Sequence, residues 1–261
     1  MMRVFALSAV LIALVAGTAA ADSARTYAVY FDCTSGRETA VRILNPDAAP
    51  VEYTLSFHEP LGATLGETAG SLGPYQETSL SVRELLANDW ESLVCPDPEN
   101  ERQHIQPSLE LCRGGLAFVE ATGSLVLEVS FADGNRAPVS LTIDQAVEIG
   151  QPHAYHFYAV PFTEGDAHTR LSVLNPQPHT SSVTISLYDP AGGLVGMGSA
   201  STRSLGASTF NVADLLVERR ETAGILEIYA PFPLAVCVEY LDGEGALLRA
   251  THTATLLNFL D

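Results

Sequence analysis

The stretch VRILNPDAAPVEYTLSFHEPLGATLG, residues 41–66, returns as LSVLNPQPHTSSVTISLYDPAGGLVG, residues 171–196. The offset is constant without a gap, 175 − 45 = 130, and it carries on to 216 − 86 = 130. Leu44-Asn45-Pro46 lies over Leu174-Asn175-Pro176, and Glu59-Pro60-Leu61-Gly62 over Asp189-Pro190-Ala191-Gly192. Val82 with Leu85-Leu86 lies over Val212 with Leu215-Leu216. A repeat this long means that one structural unit is built twice.

The unit is a β unit. Val51, Tyr53, Leu55 and Phe57 alternate with Glu52, Thr54, Ser56 and His58 at the strand period. The second copy alternates Ser181, Val183, Ile185 and Leu187 with Ser182, Thr184, Ser186 and Tyr188. Half-buried antiparallel strands carry this pattern. The shared punctuation has mechanical causes. Asn-Pro ends a strand, because proline offers no donor and keeps its predecessor out of the helical region. Asp189-Pro190-Ala191-Gly192 has the residues of a type I turn, as does Glu59-Pro60-Leu61-Gly62 with a weaker first position. Ser81-Val82-Arg83-Glu84 and its analogue Asn211-Val212-Ala213-Asp214 predict a capped helical turn between two sheets.

Downstream the copies match again in a new register, with Gly115 over Gly224 and Asp133-Gly134 over Asp242-Gly243, 224 − 115 = 109. Two strands, 116–121 and 125–132, are predicted as a hairpin about Thr122-Gly123, with a counterpart about Pro231-Phe232-Pro233. One more strand follows each Asp-Gly, 139–149 or 247–257. Seven or eight strands per copy with little helix predict an all-β chain of two tandem immunoglobulin-like antiparallel sandwiches, each with one short helical turn. The expected organisation is a signal peptide at 1–21, a first sandwich at 22–150 and a second at 151–261, joined near Gly150-Gln151-Pro152.

The register change locates an insertion of 130 − 109 = 21 residues within 87–114. It holds Trp90, Cys95, Cys112 and the acidic run Asp97-Pro98-Glu99-Asn100-Glu101. In an exported protein Cys95 and Cys112 read as a disulfide stapling this loop. Cys33 and Cys237 are left, paired or free. Cys237 aligns with Glu128, which places it on an outer face or at a contact between the copies. Trp90, Asp97, Glu99 and Glu101 form the candidate binding loop, since here the copies differ most. The acidic run lacks the twelve-residue calcium loop, and a solvated loop is the preferred reading. Trp90 reads first as a plug over the sandwich end.

The N-terminus has a charged start at Arg3, an apolar run from Val4 to Val15 and small residues to Ala21. That is the pattern of a secretory signal peptide cleaved near Ala21, and the run is too short to span a membrane. A periplasmic or secreted location is expected. The net charge of −18 argues against nucleic acid or anionic lipid as partner. All thirteen cationic residues are arginine, which excludes Schiff-base, pyridoxal-phosphate and P-loop chemistry. No nucleophile elbow, zinc-protease motif, Cys-x-x-Cys or nucleotide loop occurs. His153 and His156 have a spacing that points them to opposite faces of a strand, so they are weak metal ligands. Glu164, Asp166 and His168 could form an acid–base group but read better as an acidic hairpin loop. No catalytic residue, cofactor or metal site is expected.

Leu174-Asn175-Pro176, Ser-Leu-Tyr-Asp-Pro-Ala-Gly-Gly-Leu-Val-Gly at 186–196 and Val-Glu-Tyr-Leu-Asp-Gly at 238–243 resemble the immunoglobulin-like β-sandwich repeats of bacterial exported and surface proteins. The resemblance implies a non-enzymatic spacer, adhesive unit or binding platform, and it transfers no functional residue. The expected function is a structural or binding module of the cell envelope with a protein or glycan partner. The alternative is a periplasmic small-ligand or metal-binding protein with its site between the modules or under the inserted loop.

Overall fold

The computed structural model describes residues 24–32, 37–86, 114–134, 136–150, 156–218 and 222–253. The first copy runs β1 (Arg25–Asp32), β2 (Arg37–Leu44), β3 (Val51–His58), β4 (Thr64–Leu72), β5 (Glu77–Ser81), α1 (Val82–Leu86), β6 (Gly114–Ala121), β7 (Val126–Asp133) and β8 (Val139–Ile143). The second runs β9 (His156–Glu164), β10 (Ala167–Asn175), β11 (Ser181–Tyr188), β12 (Leu194–Thr202), β13 (Gly206–Asn211), α2 (Val212–Leu215), β14 (Thr222–Ala230), β15 (Ala235–Asp242) and β16 (Leu247–Thr253). Four antiparallel sheets have the orders β1-β6-β3-β4, β5-β2-β7-β8, β12-β11-β14-β9 and β13-β10-β15-β16. Read strand for strand, the last two orders reproduce the first two. The chain is therefore two four-on-four β-sandwiches of one topology.

The pairings of third with sixth strand and second with fifth are those of an immunoglobulin domain. The first and seventh strands have exchanged sheets relative to that fold, with β1 beside β6 and β7 beside β2. One expectation fails for the same reason. β6 and β7 do not form a hairpin about Thr122-Gly123 but lie in opposite sheets, as do β14 and β15. Both strands bring an apolar face to the core, Val119 with Ala121 and Leu127 with Val129 and Phe131, and a connection that crosses the sandwich buries both. A tyrosine holds each crossing. Leu125 N–H donates to the Tyr27 hydroxyl at 2.8 Å, and Leu234 N–H to that of Tyr158 at 2.6 Å.

The Asn-Pro pairs do more than end strands. Asn45 Nδ2 donates to the carbonyls of Ala49, Leu72 and Gly73, and Asn175 Nδ2 to those of His179, Thr202 and Arg203. Each side-chain oxygen accepts an N–H, from Asp47 or Gln177. Both residues are fully buried, and each side chain is bonded to four backbone groups. The turns follow the sequence reading. Gly192 N–H donates to the Asp189 carbonyl and Gly62 N–H to that of Glu59, with Gly62 at φ +92°. Glu84 N–H donates to Ser81 Oγ at 3.3 Å, whereas Asn211 makes no side-chain cap hydrogen bond to the backbone.

The two sandwiches pack on each other. One apolar cluster contains the first core together with Leu174, Ala207, Ala235, Cys237, Leu247 and Ala250 from the outer face of the β13-β10-β15-β16 sheet. This is why β1 is buried on both faces, with Tyr27, Val29 and Phe31 toward its own core and Ala28 and Tyr30 beneath the second sandwich.

Candidate functional site

The predicted binding loop, Trp90, Asp97, Glu99, Glu101 and the Cys95–Cys112 staple, lies outside the described residues. Cys33, Asp97 and His153 lie outside them as well. Cys237 is buried and unpaired among the described residues. It sits on the outer face of β15 against the first sandwich, the contact position that its alignment with Glu128 suggested. Burial, and next the nearby Glu239 carboxylate, push its thiol well above the usual range, so it is held as an inert neutral group.

The most highly built polar site is one that sequence reasoning missed. Asp32 at the end of β1 and Arg37 at the start of β2 meet Arg170 on β10 and Glu239 on β15. Arg170 Nη2 lies 2.6 Å from Asp32 Oδ2, and its Nε lies 2.7 Å from Glu239 Oε2. Arg37 Nη1 lies 2.9 Å from Asp32 Oδ2 and 3.4 Å from Glu239 Oε1, while its Nη2 donates to the Gly245 carbonyl at 2.8 Å. Asp133 stands 3.8 Å from Arg37 Nε. Asp32 and Glu239 are 1% and 0% exposed, so two carboxylates and two guanidinium groups are balanced within an almost dry contact. Burial raises the Glu239 carboxyl, against the pull of Arg170. Burial, and next the Asp32 charge, hold the Tyr30 phenol well above its ordinary range. Each charge is committed to another, which leaves no free base or nucleophile for a substrate. The cluster is a clamp between the sandwiches.

The signal that could have found it is in the repeat. Arg170 lies over Ala40 and Glu239 over Ser130, and each pair stands directly across the second and seventh strands of its copy. The same face carries Arg42, Glu77 and Glu128 as exposed ion pairs in the first copy, but the buried Ser172 and Cys237 in the second.

The acid–base candidates resolve into local structure. Glu164 is buried, accepts the Thr169 N–H at 2.9 Å and lies 3.0 Å from His168 Nδ1. With Asp214, Asp242 and Glu244 they line a cavity of about 440 Å³ at one end of the second sandwich. β9 and β10 lie in different sheets, so this loop is a crossing and not a hairpin. His156 is half-buried and its imidazole is lowered by burial. Among the described residues, no three His, Cys, Asp or Glu side chains are grouped to hold a metal ion. His58, also lowered by burial, shares a 2.9 Å hydrogen bond with Ser56 Oγ, and both side chains are buried.

One surface remains. The outer face of the β12-β11-β14-β9 sheet sets Phe157 beside Tyr229 and Thr184, then Ala159, Glu227, Ser186 and Met197, then Pro161, Ile225, Tyr188 and Leu194. Met197, Leu194, Ile225 and Tyr229 are 60%, 55%, 46% and 42% exposed. Glu164 and Glu227 are the only charged residues on these four strands, in a chain of net charge −18. On its counterpart in the first copy, Ala28, Tyr30 and Leu116 are covered by the second sandwich, while Glu52, Glu67 and Glu120 are exposed.

No family model and no curated protein matches the chain. Among solved structures, it aligns with the PBSX exported protein XepA at 12% identity, over 80% of this chain and 82% of that one, with a TM-score of 0.24. A protein described as secreted from Parabacteroides distasonis ATCC 8503 aligns at 11%, over 91% and 82%, with a TM-score of 0.22. A β-glucuronidase of Bacteroides uniformis aligns at 13% over 87% of this chain but 25% of the enzyme, with a TM-score of 0.16. Scores this low transfer neither activity nor partner.

Proposed function

We propose that the chain is a non-catalytic, exported tandem β-sandwich of the bacterial cell envelope that acts as a binding module. The observation that carries this reading is a division of labour between polar and apolar surface. The buried charged cluster, Asp32, Arg37, Arg170 and Glu239, is consumed in joining the two sandwiches, and among the described residues the outer face of the β12-β11-β14-β9 sheet exposes Met197, Leu194, Ile225 and Tyr229 and is nearly uncharged. Large exposed apolar faces mark interaction sites, and tyrosine and phenylalanine suit protein and glycan surfaces alike. The N-terminal apolar segment supports export. The small-ligand alternative has its best seat in the acidic cavity lined by Glu164, His168 and Asp242.

Retention of separated envelope protein and glycan fractions on the immobilised chain tests the reading. Ile225→Glu and Tyr229→Ala should abolish retention while leaving the melting temperature in place. Unchanged retention by both variants, or turnover of ester, glycoside or peptide substrates by the native chain, refutes it.

A further inference from the structure

Because the unit is built twice, the face on which the second sandwich docks also exists twice. In the first copy Tyr30, Leu116 and His58 stand abreast on β1, β6 and β3, and all three are buried. Tyr30 and Leu116 share one cluster with Leu174, Ala207, Ala235, Cys237, Leu247 and Ala250 of the second sandwich. The turn beside them belongs to the same contact. The Pro60 carbonyl accepts the Ala207 N–H at 3.1 Å, and a Cβ on Gly62 would run into the Ser204 carbonyl.

The registers reproduce this row in the second copy as Pro161, Ile225 and Tyr188 on β9, β14 and β11. Here Pro161 and Ile225 are exposed and Tyr188 is partly exposed. Pro190 in the matching turn is exposed too, and among the described residues no atom lies within 4 Å of a Cβ on Gly192. Thr163 and Ala167 stand at the register positions of Asp32 and Arg37, so this face has no buried charges to be answered. The charges on its described strands and on this turn are all acidic: Glu164, Asp189 and Glu227.

We propose that this end of the face receives a third β-sandwich, from another chain, in the arrangement that the second has on the first. The proposal rests on the binding-module reading and names its partner class. What sits on the first copy's row is an outer sheet face of small uncharged side chains, and Pro161, Ile225 and Tyr188 suit the same. A second copy of this chain does not supply it. Its first sandwich, whose equivalent face is uncovered, has Arg42, Glu77 and Glu128 at the places of Ser172, Ala207 and Cys237. Seating that face here would strip water from three charges and bring Glu77 and Glu128 toward Asp189 and Glu227, with no cation on the receiving face. These charges keep copies from stacking head to tail, a contact that does not close and grows into filaments.

Converting the first sandwich's charged face supplies the probe. The chain lacking residues 1–21, with Arg42→Ser, Glu77→Ala and Glu128→Ala, carries there the kind of face that docks in the second copy. The three native side chains are exposed, so the variant should fold with a melting temperature near the native one. Sedimentation velocity from about 1 to 100 µM should show a native monomer, and a triple variant whose mass grows with concentration past the dimer. Adding Ile225→Lys should weaken that growth by at least about 100-fold. If the triple variant unfolds, Arg42→Ser with Glu128→Ala is measured in its place. A folded variant that stays monomeric, a plateau at the dimer, or growth indifferent to Ile225→Lys overturns the proposal. Native growth that Ile225→Lys abolishes also overturns it, by making a second copy the occupant. Glycan retention by the native chain that Ile225→Glu abolishes, beside a monomeric triple variant, overturns the sandwich partner and leaves the binding-module reading standing.

Discussion

Removing Arg170 and Glu239 one at a time and then together probes the contact between the two sandwiches. In the native cluster two anions, Asp32 and Glu239, face two cations, Arg37 and Arg170, at 2.6–3.4 Å. Arg170→Ala leaves Arg37 alone to serve two buried carboxylates. Glu239→Ser leaves two guanidinium groups around Asp32. An uncompensated buried charge costs about 3–5 kcal/mol, so each single variant should lose that much, and independent effects would sum to about 6–10 kcal/mol. The double variant carries the residues that the first copy has at the aligned positions, Ala40 and Ser130, which stand opposite each other in register there. It restores a one-to-one pair between Arg37 and Asp32 at 2.9 Å. Its loss should be about 2–4 kcal/mol, mostly packing and hydrogen bonds, which leaves a favourable coupling of about 2 kcal/mol or more. Chemical denaturation of the four proteins at pH 7 gives the cycle. Additivity within about 0.5 kcal/mol would refute the view that balanced charge, and not four separate contacts, holds this interface.

Three further outcomes follow from named contacts. Asn45→Asp and Asn175→Asp each turn a donor facing three carbonyls into an acceptor, and each should cost about 4 kcal/mol or more in urea unfolding; a loss under about 1 kcal/mol in either copy contradicts the assigned bonds. His252 is held down to about 4 by burial in the contact with β1, so the unfolded chain, at about 6.5, takes up the proton first. Stability should therefore fall as pH drops from about 6.5 to 4, with His252 supplying about 2–3 kcal/mol of that loss; His252→Gln, which can still donate to the Ala28 carbonyl, should flatten the profile by that amount, and an unchanged slope counts against it. Ser181 Oγ is buried without a hydrogen-bond partner among the described residues, where the first copy has Val51, so Ser181→Ala should raise the unfolding free energy by about 1 kcal/mol, and a decrease would show that the hydroxyl has a partner.

The sequence showed that the copies differ, and it did not show that Arg170 and Glu239 were the differences that build the buried cluster. The inserted segment drew attention because insertions shift the register. Arg170 and Glu239 shift nothing. They read as two ordinary polar residues on outward positions of strands, and only the docking of the second sandwich on β1 makes them buried. The same holds for Tyr30 and Ala28, whose place on an outer face gives no warning that a second sheet covers them.

What the sequence determined by itself is local in origin. Alternation at residues 51–58 and 181–188 specifies strands and their inward faces, Asn-Pro and Asp-Pro-Ala-Gly specify where they stop and turn, and the constant offset of 130 specifies that the unit is built twice. Each of these rests on backbone sterics and on a side-chain period that neighbouring residues share. The tertiary structure alone decided which strands pair and which faces meet. A short link can close a hairpin or cross a sandwich, and the four residues 122–125 cross it, with Val119 and Val129 buried from opposite sheets. The contact between the sandwiches is likewise a sum over residues more than a hundred positions apart, Asp32 with Arg170 and Arg37 with Glu239. Long-range complementarity of that kind leaves no period along the chain.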